Sequence, residues 1–397
     1  MTAEKEGAEP GAHAPYVGGA SVVALALGIP VLISMLALAI APGVLQMAQE
    51  FGALTAQLVL TVPAMVMIVG AAISGYLSER WGRRAVISAC LLVYAIAGVS
   101  GGMAPSLTLL VTARVVSGFV GGVLLTSVYA VIGEYFEGGR RESLLGFMST
   151  AASIASLGLL VVMGYVVERF GWRAPFMLYG VSLLLIPCAL RGLHRGLSAA
   201  SVSLSWRPVL RGWTFYLLLT GYTVGMYMMV IQGPFLMAAK GFTAPSTIGQ
   251  FIGLSSLVGA ICSAFYGLMR RWLGFRQMFV LISLAIGLGL PLAAWAPSGA
   301  WVLLSMIVVG VGIGIIEPTV ASELLLRTPE PLHDRAMGVN VAAMFLGQFL
   351  NPLLLAPVRE AYGIAFAFTA VGLAYLLAAG LFAASIGHRW TVKPQVP

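Results

Sequence analysis

Charged side chains are scarce in this sequence: Asp, Glu, Lys and Arg together make 9% of 397 residues, against about 25% in a soluble domain. So few charges cannot cover a water-exposed surface. With 59% hydrophobic residues and a mean hydropathy of +0.96, a soluble globular enzyme and a disordered chain are both excluded. Cysteine is nearly absent. Cys90, Cys188 and Cys262 all fall inside apolar runs, and an odd number of such thiols is no disulfide framework. They read as small packing residues. The four histidines, His13, His194, His333 and His388, lie in tails or loops without metal-ligand spacing. No phosphate-binding loop is present, so ATP-driven pumping is unsupported. Neither a catalytic constellation nor a cofactor or metal site is expected.

What is present is long apolar runs. A helix needs about 20 apolar residues to cross the hydrocarbon core. Twelve such runs follow one another, at 22–48, 55–78, 85–104, 107–135, 142–168, 174–192, 213–239, 245–269, 276–296, 300–326, 336–358 and 364–386. Alternation over about ten residues, the mark of a membrane β-barrel, does not occur. The 48 glycines and 20 prolines are tolerable in membrane helices, where neighbours and cavity water satisfy the freed backbone. The expected fold is an all-α membrane protein of twelve transmembrane helices. The net charge of +8 sits in short loops between apolar runs, which argues against a nucleic-acid partner and for the lipid bilayer as surroundings. An even span count puts both termini on one side. That side holds seventeen Lys and Arg against four on the other, with Arg114 inside the membrane, so the termini are expected in the cytoplasm. The polar stretch 1–21 reads as a retained cytoplasmic tail, not a signal peptide, and 387–397 as a second tail.

The longest loop, 193–212, carries Arg195, Arg207 and Arg211 with a serine-rich middle. It reads as a cytoplasmic linker between six-helix bundles at 22–192 and 213–386. These halves repeat each other. A shift of 192 residues lays Gly75 on Gly267, Gly82 on Gly274, Gly118 on Gly310, Gly122 on Gly314, Gly146 on Gly338 and Gly171 on Gly363. Six glycine coincidences in one gap-free register indicate an internal duplication. Two equivalent bundles imply a site near the midplane between them, exposed alternately to each side.

Polar residues inside the runs are the candidates for that site. Arg114 stands about 10 Å inside the fourth run; an intramembrane Arg is costly and usually faces the bundle interior. Its other reading is a structural Arg bound to backbone carbonyls. Glu317 is the one carboxylate well within hydrocarbon depth. Pro318 removes the hydrogen bond to the Gly314 carbonyl and opens polar backbone to a cavity. Low dielectric disfavours the charged form of Glu317, which suits a proton carrier; a permanently protonated packing residue is the alternative. The repeat places Arg114 and Glu317 about 16 Å apart in depth, too far for direct pairing. Further candidates for the substrate cavity are Gln46, Tyr222, Tyr227, Gln232, Asn340, Gln348 and Asn351, with helix–helix hydrogen bonding as the alternative for each. At the cytoplasmic mouth, Glu134 is within reach of Arg80, Arg83 and Arg84, and Glu323 of Arg270, Arg271 and Arg276. Two matching ion-pair clusters are expected there, each pair contributing about 0–1 kcal/mol.

The loop after the second run reads Gly75-Tyr76-Leu77-Ser78-Glu79-Arg80-Trp81-Gly82-Arg83-Arg84. It resembles the signature loop of the major facilitator superfamily, with Glu79 in the usual Asp place. Leu110, Arg114, Ser117, Gly118 and Gly122 resemble the superfamily's second motif, and Gly171-Trp172-Arg173 with Phe176 another familiar piece. The resemblance covers nearly the whole chain and implies two pseudo-symmetric six-helix bundles in the cell inner membrane. It also implies a cytoplasmic gate at the signature loop, with Glu79 latching onto the start of the eleventh helix near Asp334. Length and motifs resemble the drug:proton antiporter and arabinose-efflux-like group. One departure stands in the fifth run, where Leu159-Leu160 and Met163-Gly164 occupy the places of that group's Gly-Pro and Gly-Gly. The expected function is secondary transport by alternating access, as a monomer without cofactors: proton-coupled export of a small organic compound. The alternative is proton-driven uptake of a small metabolite such as an organic anion attracted by Arg114, and a third class is a non-transporting membrane scaffold.

Overall fold

In the computed structural model, residues 19–136, 138–194, 207–329 and 332–385 are described. The tails and most of the 193–212 linker lie outside them. Twelve helices are long and apolar enough to cross a membrane. In the first half they are α1 Gly19–Phe51, α2 Ala53–Trp81, α3 Arg83–Gly102, α4 Leu107–Tyr135, α5 Gly146–Phe170 and α6 Ala174–Gly192. The second half holds α7 Trp213–Ile231, α8 Pro245–Ala264, α9 Phe275–Trp295, α10 Gly299–Arg327, α11 Arg335–Tyr362 and α12 Ile364–Ser385. No strand occurs among the described residues. Large apolar side chains such as Ile96, Leu184 and Trp272 point outward, as a lipid-facing surface requires.

Breaks in the helices have local causes. α1 is interrupted at 39–43, where Pro42 opens a tight turn before the helix resumes at Val44. α7 gives way at Gln232 to a short helix, Gly233–Ala239, started by Pro234. α8 ends at Ala264 and continues as Tyr266–Trp272, so the run 245–269 is two helical pieces and the run 213–239 is three. Gly171 and Gly363 close α5 and α11 with φ of +80° and +86°, a conformation that favours glycine, at positions 192 apart.

That register holds in space. A Cβ on Gly118 would come 2.6 Å from the Pro63 Cα, and one on Gly310 would come 2.6 Å from the Ser255 carbonyl oxygen. One turn on, a Cβ on Gly122 would collide with the Met67 carbonyl and one on Gly314 with the Gly259 carbonyl. The partners Pro63 and Ser255, and Met67 and Gly259, are themselves 192 apart. The α2–α4 contact of one half is thus rebuilt as α8–α10 in the other, with small residues letting the backbones meet. The result is two pseudo-symmetric six-helix bundles.

The start of α1 packs on the end of α6, Val22 against Gly192, and Arg276 at the start of α9 donates to the Ser385 carbonyl at the end of α12. These ends define the termini side of each bundle; the opposite face is the far side.

Candidate functional site

Toward the far side, hydrogen bonds cross between the halves. Gln57 of α2 donates to the Gln232 side-chain oxygen at 2.8 Å. The Ser246 N–H donates to Glu168 at 3.3 Å, and Gln250 donates to the Tyr165 hydroxyl at 2.6 Å. Close packing of α5 on α8 supports them: a Cβ on Gly164 would come 2.8 Å from the Pro245 carbonyl.

Toward the termini side of this contact the halves part around a cavity of about 410 Å³. Its walls come from α1, α2, α4 and α5 on one side and α7, α8, α10 and α11 on the other. Glu317 is the one charged side chain in that lining. No hydrogen bond or ion pair engages it among the described residues, and Tyr129 and Tyr227 line the same cavity. Pro318 beside it has no N–H, so the carbonyl of Gly314, also in the lining, lacks its usual helical donor. The remaining wall is apolar and adaptable, with Met67, Met148, Met226, Met344 and Phe345. Hydroxyls dot it; Ser34 donates to the Pro30 carbonyl at 3.1 Å and Ser156 to that of Ala152 at 2.7 Å.

Of the residues expected in the substrate cavity, Tyr227 and Gln348 line it beside Glu317. The others do not. Arg114 is 1% exposed, and its guanidinium is spent on protein acceptors: Nε donates to the Val59 carbonyl at 2.9 Å, Nη1 to the Tyr179 hydroxyl at 2.6 Å and Nη2 to the Leu36 carbonyl. Gln46 lines a separate cleft of about 290 Å³ with Gln49, Thr243 and Pro245. Tyr222 turns into its own bundle, bonded to Ser283 and edge-on to Phe279 and Tyr375. Gln232 and Asn351 are fully buried in the far-side contact, where Gln232 donates to Asn351 at 3.2 Å and Arg359 donates to Gln232 at 3.1 Å. Asn340 is fully buried, with neither amide atom bonded to a described residue. Helical spacing puts Asn340, Gln348 and Asn351 on one broad face of α11, but that face packs against α7 as well as fronting the cavity: Thr220 of α7 donates to the Ala343 carbonyl at 3.0 Å.

Two ion-pair clusters occupy the termini side, each within one bundle. Arg83 pairs with Glu134. Glu323 takes Arg270 at 3.4 Å and Arg327 at 2.6 Å, and Arg327, one helical turn away, was not among its expected partners. Arg80 donates instead to Tyr76 at 3.0 Å, and Arg276 caps the Ser385 carbonyl. Arg84 and Arg271 enter no described ion pair. Gly82 ends α2 with φ +78°. A Cβ on Gly75 would meet nothing within 4 Å. Glu79 stands half-buried at the end of α2; the side chain of Asp334 lies outside the described set.

Residues that sequence reasoning passed over are Gln57, Tyr129 and Tyr179. Each is a lone polar group in an apolar run, the same signal that selected Arg114, but their roles depend on which helix faces them.

Two like bundles joined at one face, with a mostly apolar cavity between them and one carboxylate in its wall, form the internal-repeat architecture found in many transporter folds. The family model of the Major Facilitator Superfamily matches residues 27–352. The tetracycline resistance protein, class C, of Escherichia coli is 26% identical over 339 residues, covering 81% of this chain and 83% of that protein. The niacin transporter NiaP of Acinetobacter baylyi is 28% identical over 120 residues, 30% of this chain and 27% of that protein. The match to the transporter YybF of Bacillus subtilis likewise spans 59% of that protein's length. Among solved structures, the D-xylose–proton symporter superposes with a TM-score of 0.74 at 16% identity, over 92% of this chain and 97% of its own. The nucleoside transporter NupG gives 0.74 at 13% identity, over 93% and 99%. The chain belongs to the major facilitator superfamily. Its relatives are membrane transporters, not enzymes, and it is a multi-pass membrane protein of that kind.

Proposed function

We propose that the protein exports a small amphipathic organic compound in exchange for protons. It works by alternating access, as a monomer in the cell inner membrane with both termini in the cytoplasm. The observation that carries this reading is the cavity itself, whose lining holds one carboxylate, Glu317, and no basic residue. Such a wall suits a neutral or cationic compound with aromatic or aliphatic bulk, and a proton. It gives no counter-charge to an organic anion. The anion-uptake reading leaned on Arg114, which faces protein carbonyls. Relatives named for tetracycline and multidrug transport support export, although one is named for niacin.

The mechanism follows from solvation. When the cavity is closed from water, a bare carboxylate costs several kcal/mol, so Glu317 holds a proton. When water enters, the charge is solvated and the proton leaves. Substrate and proton then alternate at one wall. On the termini side, Glu79 latches the start of α11 when that side closes, and the clusters around Glu134 and Glu323 hold each bundle's mouth in shape. Proteoliposomes with an imposed pH gradient test the coupling, with a panel of lipophilic dyes and drugs as candidate substrates. Glu317→Gln copies the protonated form, so it abolishes gradient-driven accumulation and leaves substrate exchange. Accumulation that persists in Glu317→Gln removes Glu317 as the carrier.

A further inference from the structure

Arg114 is a buried intramembrane charge that neither the cavity nor any carboxylate accounts for. Its three hydrogen bonds do. The Val59 carbonyl would accept, in an unbroken helix, from the backbone of residue 63, and residue 63 is proline. Arg114 Nε fills that vacant place at 2.9 Å. The Leu36 carbonyl lies in the last turn of the first segment of α1, which stops at Leu38, where carbonyls run out of intrahelical donors; Arg114 Nη2 fills that one. Nη1 holds the Tyr179 hydroxyl, which in turn donates to the Met35 carbonyl at 3.4 Å. Both donor-poor stretches of backbone front the cavity, since Leu36 and Pro63 are part of its lining.

The repeat supplies an internal control. At the positions 192 residues on, Pro63 becomes Ser255, which has an N–H, and Arg114 becomes Met306, fully buried. The surrounding contact is the same, Gly118 on Pro63 in one half and Gly310 on Ser255 in the other. Proline and arginine occur together in one half and are both missing from the other.

We propose that Arg114 is a positioning residue that replaces the donors lost at Pro63 and at the α1 break, and so fixes the first-half wall of the cavity, without itself binding substrate or proton. This holds whether or not transport is proton-coupled.

The test compares Arg114→Met in two backgrounds, Pro63 and Pro63→Ala, in the purified full-length protein. Alanine restores the N–H for Val59, one of the two stranded carbonyls. The loss of melting temperature caused by Arg114→Met is therefore expected to be roughly halved in the Pro63→Ala background. A second reading separates wall placement from general stability. On a background without Cys90, Cys188 and Cys262, the reaction rate of Ser34→Cys in the α1 wall with a methanethiosulfonate reagent rises severalfold in Arg114→Met. The rate of Ser256→Cys in the opposite wall does not change. If Arg114→Met does not accumulate, Arg114→Lys, which keeps the charge and loses the planar fork, enters the same comparison. Equal losses of melting temperature in both backgrounds, or an unchanged Ser34→Cys rate, overturn the proposal.

Discussion

The far-side contact hinges on Gln232. Its side chain accepts from Gln57 at 2.8 Å and Arg359 at 3.1 Å, and donates to Asn351 at 3.2 Å. Only the first bond crosses between the halves. Gln232→Leu keeps the bulk and removes all three. In the closed arrangement this strands the Gln57 amide, left with a 3.5 Å contact to the Ile231 carbonyl, and the Asn351 oxygen, both buried. Arg359 is half-buried and keeps its place over the Phe235 ring at 5.1 Å, so its loss is smaller. Once the far side opens, water reaches these groups. Leaving one buried polar group unsatisfied costs about 1–3 kcal/mol. The closed form should lose roughly that much against the open form, a shift of about 5–150-fold in their ratio. Spin labels at Gln49→Cys and Thr243→Cys, exposed on opposite sides of the far-side cleft, report the change in pulsed electron–electron distance measurements, with the native cysteines removed. A longer-distance population is expected in Gln232→Leu. Gln57→Leu shifts the ratio much less. It loses a hydrogen bond of about 0.6 kcal/mol in a membrane but also removes the buried Gln57 Oε1, which has no partner. An unchanged distance distribution in Gln232→Leu, at normal expression, refutes the idea that this network holds the far side shut.

Gly122→Val and Gly314→Val each drive a side chain into a facing backbone carbonyl, so both should abolish accumulation of folded protein in the membrane. Gly75→Ala, with open space around its Cβ, should fold normally, as immunoblots of membranes would show. Arg270→Ala should lower the melting temperature by less than Glu323→Ala does, because Arg327 keeps Glu323 paired at 2.6 Å. Glu79→Gln should weaken closure of the termini side and raise labelling of Ser263→Cys in the cavity wall by a thiol reagent added from the cytoplasmic side. Unaltered labelling would argue against a latch.

Glu317 and Arg114 are both lone charges in apolar helices, yet Glu317 lines the cavity and Arg114 is turned onto protein carbonyls. Glu317 is followed by Pro318, which removes a backbone donor from its own helix without ending it. That information is local. The vacancy that Arg114 fills lies on α2, created by Pro63, 51 positions earlier in the chain. Only the packing of Gly118 against Pro63 brings donor and vacancy together. Gln232 and Asn351 show the same limit. Their spacing places them on helix faces, but a face of α7 or α11 can front the cavity, the partner bundle or its own bundle, and periodicity does not distinguish these.

The sequence by itself determined the class of fold. Twelve apolar runs, the basic loops and the glycine register are properties of the chain read one segment at a time, because lipid solvation acts on each helix separately. Four glycines of the 192-residue register, Gly118, Gly122, Gly310 and Gly314, mark the α2–α4 and α8–α10 contacts, where small residues let backbones meet. Tertiary structure decided which polar side chains face the cavity and which hold helices together. A buried polar group in a membrane is costly without a partner, and the partner available to it is set by helix rotation and depth, quantities that the whole bundle fixes at once.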